Sequence, residues 1–245
     1  TTLMWYDILA VQYLYGKSNY KHGNSTYTYV DDNPYWETIY DTGGTDKILY
    51  QGAYNVAIDL RTGHWSNIGK TLDFYSSKSN KTVMIGPGTV IENAIAGSGN
   101  DRLDGNNKKN VLKGGAGQDM LVGRAGNDTL DGGPGGDILN GGSGKEKYDF
   151  RVPPGNGVDK IVRFEAGELV RLDNADFLGI GSNGQLAARF FVQAPTAQDH
   201  NDLVIYQRSQ KSVFFDPDGT GPAPQVLFLR FGNKPTLDHT DFWVI

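Results

Sequence analysis

A nonapeptide repeat over residues 96–149 constrains the fold more than any other feature of this chain. The units 114–122 and 132–140 match the pattern G-G-x-G-x-D-x-U-x completely, where U is a large apolar residue. The U position returns at a fixed spacing, at Leu103, Leu112, Leu121, Leu130, Leu139 and Tyr148. A Gly/Asp-rich flexible linker is the alternative interpretation, but a linker has no reason to phase leucine in this way.

The other four units keep the nine-residue spacing. Three of them depart from the pattern at a named position, and the fourth departs at several. Ala96 replaces the first glycine of the unit 96–104, and Arg124 replaces the second glycine of the unit 123–131. The unit 141–149 carries Glu146 in place of aspartate. The unit 105–113 is degenerate, with Asn106, Lys108 and Asn110 at its key positions.

Each unit has the length of one short strand and one turn. The three residues x-U-x allow a strand with one side chain pointing inward, and the six residues before them form a turn in which glycine supplies conformations closed to other residues. Two units complete one coil, so units n and n+2 stack on the same side. The repeat therefore predicts an all-β fold built around a parallel β-roll.

Stacking would align acidic side chains along the two edges of the roll. Neighbouring carboxylates about 5 Å apart repel by about 3 kcal/mol at an effective dielectric near 20. Calcium turns that repulsion into attraction, because it accepts six to eight oxygens from carboxylates and carbonyls. We therefore expect several calcium ions as a folding requirement, with ligands from Gly97, Gly99, Asp101, Asn110, Gly115, Gly117, Asp119, Gly126, Asp128, Gly133, Gly135, Asp137, Gly142, Gly144 and Glu146.

Composition excludes several other classes of protein. The net charge of −5 argues against a nucleic-acid surface, and there is no apolar run long enough for membrane insertion. Cysteine is absent, so disulfides do not hold the fold together. The histidines, His22, His64, His200 and His239, are scattered without i, i+4 pairs, and no catalytic residue can be assigned.

Four segments follow along the chain. Residues 1–16 are predicted to form a short N-terminal helix ended by Gly16, because apolar residues recur there at helical spacing. Residues 17–95 are aromatic-rich and are predicted to be β-strands with loops leading into the roll, which occupies 96–150. Residues 151–245 are predicted to hold antiparallel, sandwich-like strands, with apolar runs at 160–164, 203–206, 212–215 and 226–229.

The chain as a whole resembles the C-terminal part of the serralysins, bacterial zinc metalloproteases with RTX calcium-binding repeats that are exported by type I secretion. Residues 3–16 resemble the helix that closes that family's protease domain, and 40–46 resemble its first calcium loop. Residues 88–95 resemble the segment that enters its roll. The family's zinc helix, H-E-x-x-H-x-x-G-x-x-H, does not occur in this sequence, so the resemblance implies that zinc belongs to a protease domain outside this chain.

The resemblance implies further site residues. Calcium ligands upstream of the roll are expected at Lys21, Gly23, Ser25, Asp41, Gly43, Gly44, Asp46 and Glu92. Ser25 and Val90 stand where the family usually or often has threonine, and an ordinary acidic turn is the alternative for 41–46. A secretion signal is expected at Asp241, Phe242, Trp243, Val244 and Ile245, with the type I secretion machinery and the N-terminal protease domain as partners.

Two alternatives stay open. Asp216 and Asp218 begin a D-x-D-G motif typical of an EF-hand loop and are candidate ligands of an extra calcium ion, but position 12 of that loop is Leu227, so a hairpin turn is the favoured interpretation. The function expected first is a calcium-binding and export module, extracellular and non-catalytic in this chain. The alternative is a carbohydrate- or surface-binding module of another exported protein, such as a lyase, epimerase or adhesin.

Overall fold

The computed structural model describes residues 21–33, 35, 37–70, 72–74, 77–79 and 81–245. Within these residues the regular structure consists of short strands and two 3₁₀ turns, Ala188–Phe190 and His239–Asp241. The helix predicted within 1–16 lies outside the described residues. In the described part of the chain, no helix has the length and apolarity needed to span a membrane.

Short strands are found along the whole described chain. Those before the repeat are β1 (Thr26–Tyr29), β2 (Glu37–Ile39), β3 (Lys47–Tyr50), β4 (Ala57–Asp59), β5 (Trp65–Ser66), β6 (Leu72–Phe74), β7 (Ser77–Ser79), β8 (Val83–Ile85) and β9 (Asn93–Ile95). Those of the repeat are β10 (Arg102–Asp104), β11 (Val111–Lys113), β12 (Met120–Ala125), β13 (Thr129–Asp131), β14 (Ile138–Ser143) and β15 (Lys147–Phe150). Those after it are β16 (Asp159–Ile161), β17 (Leu169–Leu172), β18 (Gly184–Gln185), β19 (Phe191–Val192), β20 (Val204–Gln207), β21 (Ser212–Phe215), β22 (Val226–Phe231) and β23 (Phe242–Val244).

Two nine-stranded sheets form the body of the molecule. One has the order β1-β3-β9-β11-β13-β15-β17-β23-β18, and the other has the order β19-β20-β21-β22-β16-β14-β12-β10-β4. Successive repeat strands alternate between the two sheets. Leu103 pairs with Leu121, and Leu121 pairs with Leu139, all in parallel. The two-unit coil predicted from the repeat is therefore confirmed.

The core lies between the two sheets. The U residues at 103, 112, 121, 130, 139 and 148 are all 0% exposed, because the central residue of each short strand points inward. The same columns continue beyond the repeat, since Ile48 pairs with Ala94 on one side and Val170 with Phe242 on the other. The parallel roll thus extends through strands on both sides of residues 96–150.

The region after residue 151 differs in detail from the predicted sandwich. β20, β21 and β22 are antiparallel neighbours, as expected. However, β22 pairs in parallel with β16, and β23 pairs in parallel with β17, so these strands extend the sheets of the roll. The physical reason is that inward apolar residues such as Ile161 and Val170 continue the columns of the core. Two smaller sheets, β2-β8-β5 and β6-β7, complete the described structure.

Candidate calcium sites

The turns between repeat strands stack so closely that only glycine fits at several positions. A Cβ atom on Gly115 or Gly117 would collide with the carbonyl oxygen of Gly97 or Gly99 in the coil before. Gly115 and Gly117 have φ values of 102° and 131°, which other residues rarely adopt. The same collisions recur one coil later for Gly133 and Gly135, and on the opposite edge for Gly142 and Gly144. Carbonyl oxygens of successive turns are therefore brought into register along each edge.

The acidic side chains of the repeat are fixed by the backbone of the neighbouring coil. The N–H of Asp101 donates to Asp119 Oδ1 at 2.8 Å, and the N–H of Asp119 donates to Asp137 Oδ1 at 2.8 Å. On the other edge, the N–H of Asn110 donates to Asp128 Oδ1 at 2.7 Å. One oxygen of each aspartate is thus held in place by a hydrogen bond between coils.

The second oxygen of each of these side chains is buried without a partner. In the described residues, no hydrogen bond reaches the Oδ2 atoms of Asp46, Asp101, Asp119, Asp128 and Asp137, or either carboxylate oxygen of Glu146. These six residues are at most 3% exposed. An unsatisfied buried oxygen of this kind costs about 1–3 kcal/mol, and more when it is charged. Such oxygens, next to stacked turn carbonyls, fit a hard cation with oxygen ligands.

The donor set favours calcium over zinc. Among the described residues, no three His, Cys, Asp or Glu side chains come close enough together to hold a metal ion. Zinc would need three or four such side chains. Calcium accepts carboxylates in combination with backbone carbonyls, so a pair of carboxylates from adjacent coils and the carbonyls of two turns would be sufficient.

We call the two rows of stacked side chains ladders: Asp101, Asp119 and Asp137 on one edge, and Asn110, Asp128 and Glu146 on the other. Burial raises the pKa values of three aspartates in them. The pKa of Asp119 is raised to about 6 by burial and by the nearby Asp101. The pKa of Asp128 is raised to about 7 by burial and by Glu146. The pKa of Asp137 is raised to about 8 by burial, with contributions from Asp159 and Asp119. Without a cation, Asp128 and Asp137 therefore keep a substantial share of their protons at neutral pH, whereas Asp119 is mostly ionised there, and calcium would have to displace the protons that remain.

Two ladder positions were not predicted from the repeat. The N–H of Asp137 donates to Asp159 Oδ1 at 2.9 Å, and a Cβ on Gly157 would collide with the carbonyl oxygen of Gly135. Burial raises the pKa of Asp159 to about 7, and burial together with Glu146 raises the pKa of Glu168. The motif G-x-G-x-D at 155–159 was a usable signal. It was missed because Asp159 follows Asp137 by 22 residues, whereas the repeat spacing is 18.

A family model recognises the same repeat in the sequence. The family model described as RTX calcium-binding nonapeptide repeat matches residues 95–130 and 114–145, with 4 copies. The chain carries RTX repeats. Among curated relatives, serralysin of Proteus mirabilis is 36% identical over 121 residues, which cover 44% of this chain and 23% of that protein. Serralysin of Photorhabdus luminescens is 39% identical over 121 residues, and metallopeptidase AprA of Pseudomonas marginalis is 32% identical over 121 residues.

These matches confirm the resemblance to the serralysins over part of the chain. The chain spans about a quarter of the length of the relatives it matches, 23% and 24% for the last two. Among solved structures, the AlgE6R3 subunit of the Azotobacter vinelandii mannuronan C5-epimerase matches with 25% identity and a TM-score of 0.38. That match covers 64% of this chain and 81% of the subunit.

The upstream loops pack against one edge of the RTX roll. The N–H of Ser25 donates to Asp46 Oδ1 at 2.7 Å, and the N–H of Asp46 donates to Glu92 Oε2 at 2.7 Å. The N–H of Gly23 donates to the Gly43 carbonyl at 2.8 Å, and a Cβ on Gly44 would collide with the Gly23 carbonyl. Ser25, Asp46 and Glu92 thus continue the ladder that includes Asn110 and Asp128.

Lys21 and Asp41 lie at the margin of this group. The Lys21 carbonyl accepts the N–H of Thr42 at 3.3 Å, so it faces the 41–46 loop. Tyr27 donates its hydroxyl to Asp41 Oδ2 at 2.7 Å, and the N–H of Gly43 donates to Asp41 Oδ1 at 3.4 Å. Although burial opposes it, hydrogen bonds led by that of Tyr27 lower the pKa of Asp41. Asp41 therefore stays ionised, with both oxygens already engaged, in contrast to the ladder residues.

The D-x-D-G segment lies in the connection between β21 and β22, which are antiparallel neighbours. The N–H of Asp218 donates to Asp216 Oδ1 at 3.4 Å, and the N–H of Ala223 donates to Asp218 Oδ2 at 3.1 Å. Asp218 Oδ1 is buried without a hydrogen bond in the described residues. The segment is thus a hairpin turn closed on itself that keeps one free acceptor.

The segment predicted as the secretion signal is part of the RTX roll. Strand β23 pairs in parallel with β17, and the N–H of Ile245 donates to the Leu172 carbonyl at 2.9 Å. Phe242 and Val244 are 0% and 1% exposed, whereas Trp243 between them is 41% exposed. Asp241 is the last residue of the 3₁₀ turn before β23, and its Oδ2 accepts the N–H of the N-cap residue Asp238 at 2.9 Å as part of a capping box.

Proposed function

We propose that this chain is the calcium-binding β-roll and export module of a secreted, serralysin-like zinc metalloprotease, and that it folds on extracellular calcium. The observation that supports this best is the set of seven buried carboxylate oxygens without partners along the two edges of the roll. The protease activity and its zinc ion would belong to a domain of the parent protein that precedes this module.

Calcium would be held between adjacent coils. On one edge the ligand pairs are Asp101 with Asp119, Asp119 with Asp137, and Asp137 with Asp159. On the other edge they are Asp46 with Glu92, Asn110 with Asp128, Asp128 with Glu146, and Glu146 with Glu168. The carbonyls of the intervening glycine turns supply the remaining oxygens. The stacking of these turns and the matched RTX model support this arrangement.

The affinity expected of such sites explains how export and folding would be separated. Extracellular calcium modules bind in the range of about 10⁻⁴–10⁻³ M, so the sites would be empty where free calcium is scarce. The unsatisfied oxygens would then keep the roll unfolded. In that state the secretion machinery could bind the residues 241–245. In the folded state, Phe242 and Val244 are buried and closed to recognition.

Far-UV circular dichroism of the isolated chain, titrated with calcium from a metal-free state, tests this function. We expect a cooperative gain of β signal near millimolar calcium, and no such gain with magnesium as the control. A chain that is equally folded in chelator and in calcium would refute folding on calcium.

Export is tested separately in a type I secretion system. Deletion of residues 241–245 is expected to abolish export, while a matched substitution of exposed residues in the β21–β22 hairpin leaves export unchanged. Unchanged export of the deletion variant would show that residues 241–245 are not the export signal.

A further inference from the structure

A cleft of about 370 Å³ opens on one edge of the roll, beside the degenerate repeat. Its volume lies within the range of about 300–1,000 Å³ that is usual for small-molecule sites. The lining side chains come from a loop after β4, from the turn before β9 and from two stacked repeat turns: Leu60, Arg61, Thr62, Val90, Asn106 and Asn107, with Lys108 and Arg124.

The departures from the RTX pattern converge on this cleft. Asn106 and Arg124 stand where complete units carry their second glycine, and Lys108 stands where they carry their third. Arg124 has a φ of 79°, a conformation that strains any residue except glycine. A strained arginine at a glycine position, beside two further replaced glycines, indicates a use other than turn formation.

The cleft is rich in cations and hydrogen-bond donors. Three cationic side chains line it, and no acidic side chain does. Arg61 is paired with Asp59 at 2.5 Å, and Arg124 Nη2 is paired with Asp104 at 3.0 Å, so both guanidinium groups are held in place from behind. Within the described residues, Lys108 has no ion-pair partner, which leaves its ammonium group free for a ligand.

The other lining residues suit a ligand that carries hydroxyl groups on a small ring, such as a sugar. Asn106 is committed to the fold, because its Nδ2 donates to the carbonyls of Leu60 at 3.2 Å and Ile91 at 2.8 Å. Asn107 and Thr62 are exposed at the rim. The Thr62 hydroxyl donates to the Thr89 carbonyl at 2.9 Å, so it can accept from a sugar hydroxyl group, while the Asn107 amide can both donate and accept. Val90 is 36% exposed and offers one small apolar surface. The cations are suited to a carboxylate.

We infer that this cleft binds an acidic sugar unit, with a uronate carboxylate against Lys108, Arg124 and Arg61 and its hydroxyl groups at Asn107 and Thr62. The side chains of this site are not among the calcium ligands proposed above, although the backbone carbonyls of Lys108 and Arg124 belong to the same stack of turns. The inference does not depend on export.

Isothermal titration calorimetry on the calcium-saturated chain tests this inference, with a galacturonate trimer as the probe and maltotriose as the neutral control. We expect the trimer to bind and maltotriose not to bind. Lys108→Gln and Arg124→Gly should each weaken trimer binding by about tenfold. Lys109→Gln, which removes the neighbouring exposed cation outside the cleft, should leave it unchanged.

Arg124→Gly separates binding from folding, because glycine accepts the φ of 79° without strain. Its thermal unfolding temperature should equal or exceed that of the parent chain while its affinity falls. Absence of trimer binding, or equal affinity in all variants, overturns the site. Sulfate that binds as tightly as the trimer and competes with it overturns the assignment to a sugar.

Discussion

The stacked carbonyls predict a sharp difference between two adjacent glycines of one turn. In Gly135→Ala the new Cβ would collide with the Gly117 carbonyl, at a position where φ is 151°. In Gly136→Ala the nearest atom would be the Val158 carbonyl oxygen at 3.4 Å, which is an ordinary contact. The same chemical change is thus made in neighbouring residues with opposite structural consequences.

The magnitudes follow from this geometry. Alanine at Gly135 adds about 1–3 kcal/mol of backbone strain. It also displaces a carbonyl by more than the tolerance of about 0.2 Å for a metal ligand. Loss of the ion would leave the buried Asp137 oxygen without a partner, which costs about 1–3 kcal/mol of folding free energy. We therefore expect Gly135→Ala to lower the free energy of unfolding by about 2–6 kcal/mol. Gly136→Ala should change it little, or raise it by about 0.4–1 kcal/mol.

Urea unfolding in saturating calcium, followed by circular dichroism, measures both values against the parent chain. A calcium titration of each variant should also show a higher midpoint for Gly135→Ala alone. Equal stabilities for the two variants would refute the view that the stacked carbonyls of this turn hold a cation.

Three further predictions concern charge and core. The raised pKa values of Asp119, Asp128 and Asp137 mean that between about pH 4 and pH 8 these three groups bind more protons in the calcium-free folded chain than in the unfolded chain. Its stability should therefore fall as pH rises, and circular dichroism of metal-free protein should show more β structure at pH 5 than at pH 8.5; the reverse order would contradict the burial of these groups. Asp159→Asn should raise the calcium midpoint of folding about as much as Asp137→Asn does, and an unchanged midpoint would remove Asp159 from the ladder. Leu121→Ala, at a residue that is 0% exposed, should cost about 2–5 kcal/mol in thermal or urea unfolding, and a loss below about 1 kcal/mol would mean that the core is not packed as described.

The repeat allowed the register of the roll to be predicted because every coil has the same number of residues between Asp101 and Asp137. Where the number of residues in a coil changes, the repeat no longer predicts which residue joins the ladder. Asp159 belongs to the same ladder, but a longer connection after β15 shifts it out of phase. The parallel pairing of β23 with β17 was also missed, since nothing in the short apolar segment Phe242–Val244 specifies its partner.

The cleft could not be predicted for a different reason. Arg61 and Arg124 are distant in sequence, and only the parallel pairing of β4 with β10 and of β10 with β12 brings their loops to the same edge. The replaced glycines at 106, 108 and 124 were visible in the sequence as departures from the pattern. That these replacements line one cleft could be seen only once the structure showed which turns are neighbours in space.

The hydrogen bonds between coils make each ladder a chain of nearest-neighbour links. Every aspartate in it anchors to the coil before and is anchored by the coil after, so an ion gained or lost affects adjacent coils first. Folding should then spread from each ordered coil to its neighbours in sequence along the roll. It has a natural stop at Val56, which donates its N–H to Asp101 at 2.8 Å but has no carboxylate with which to continue the series.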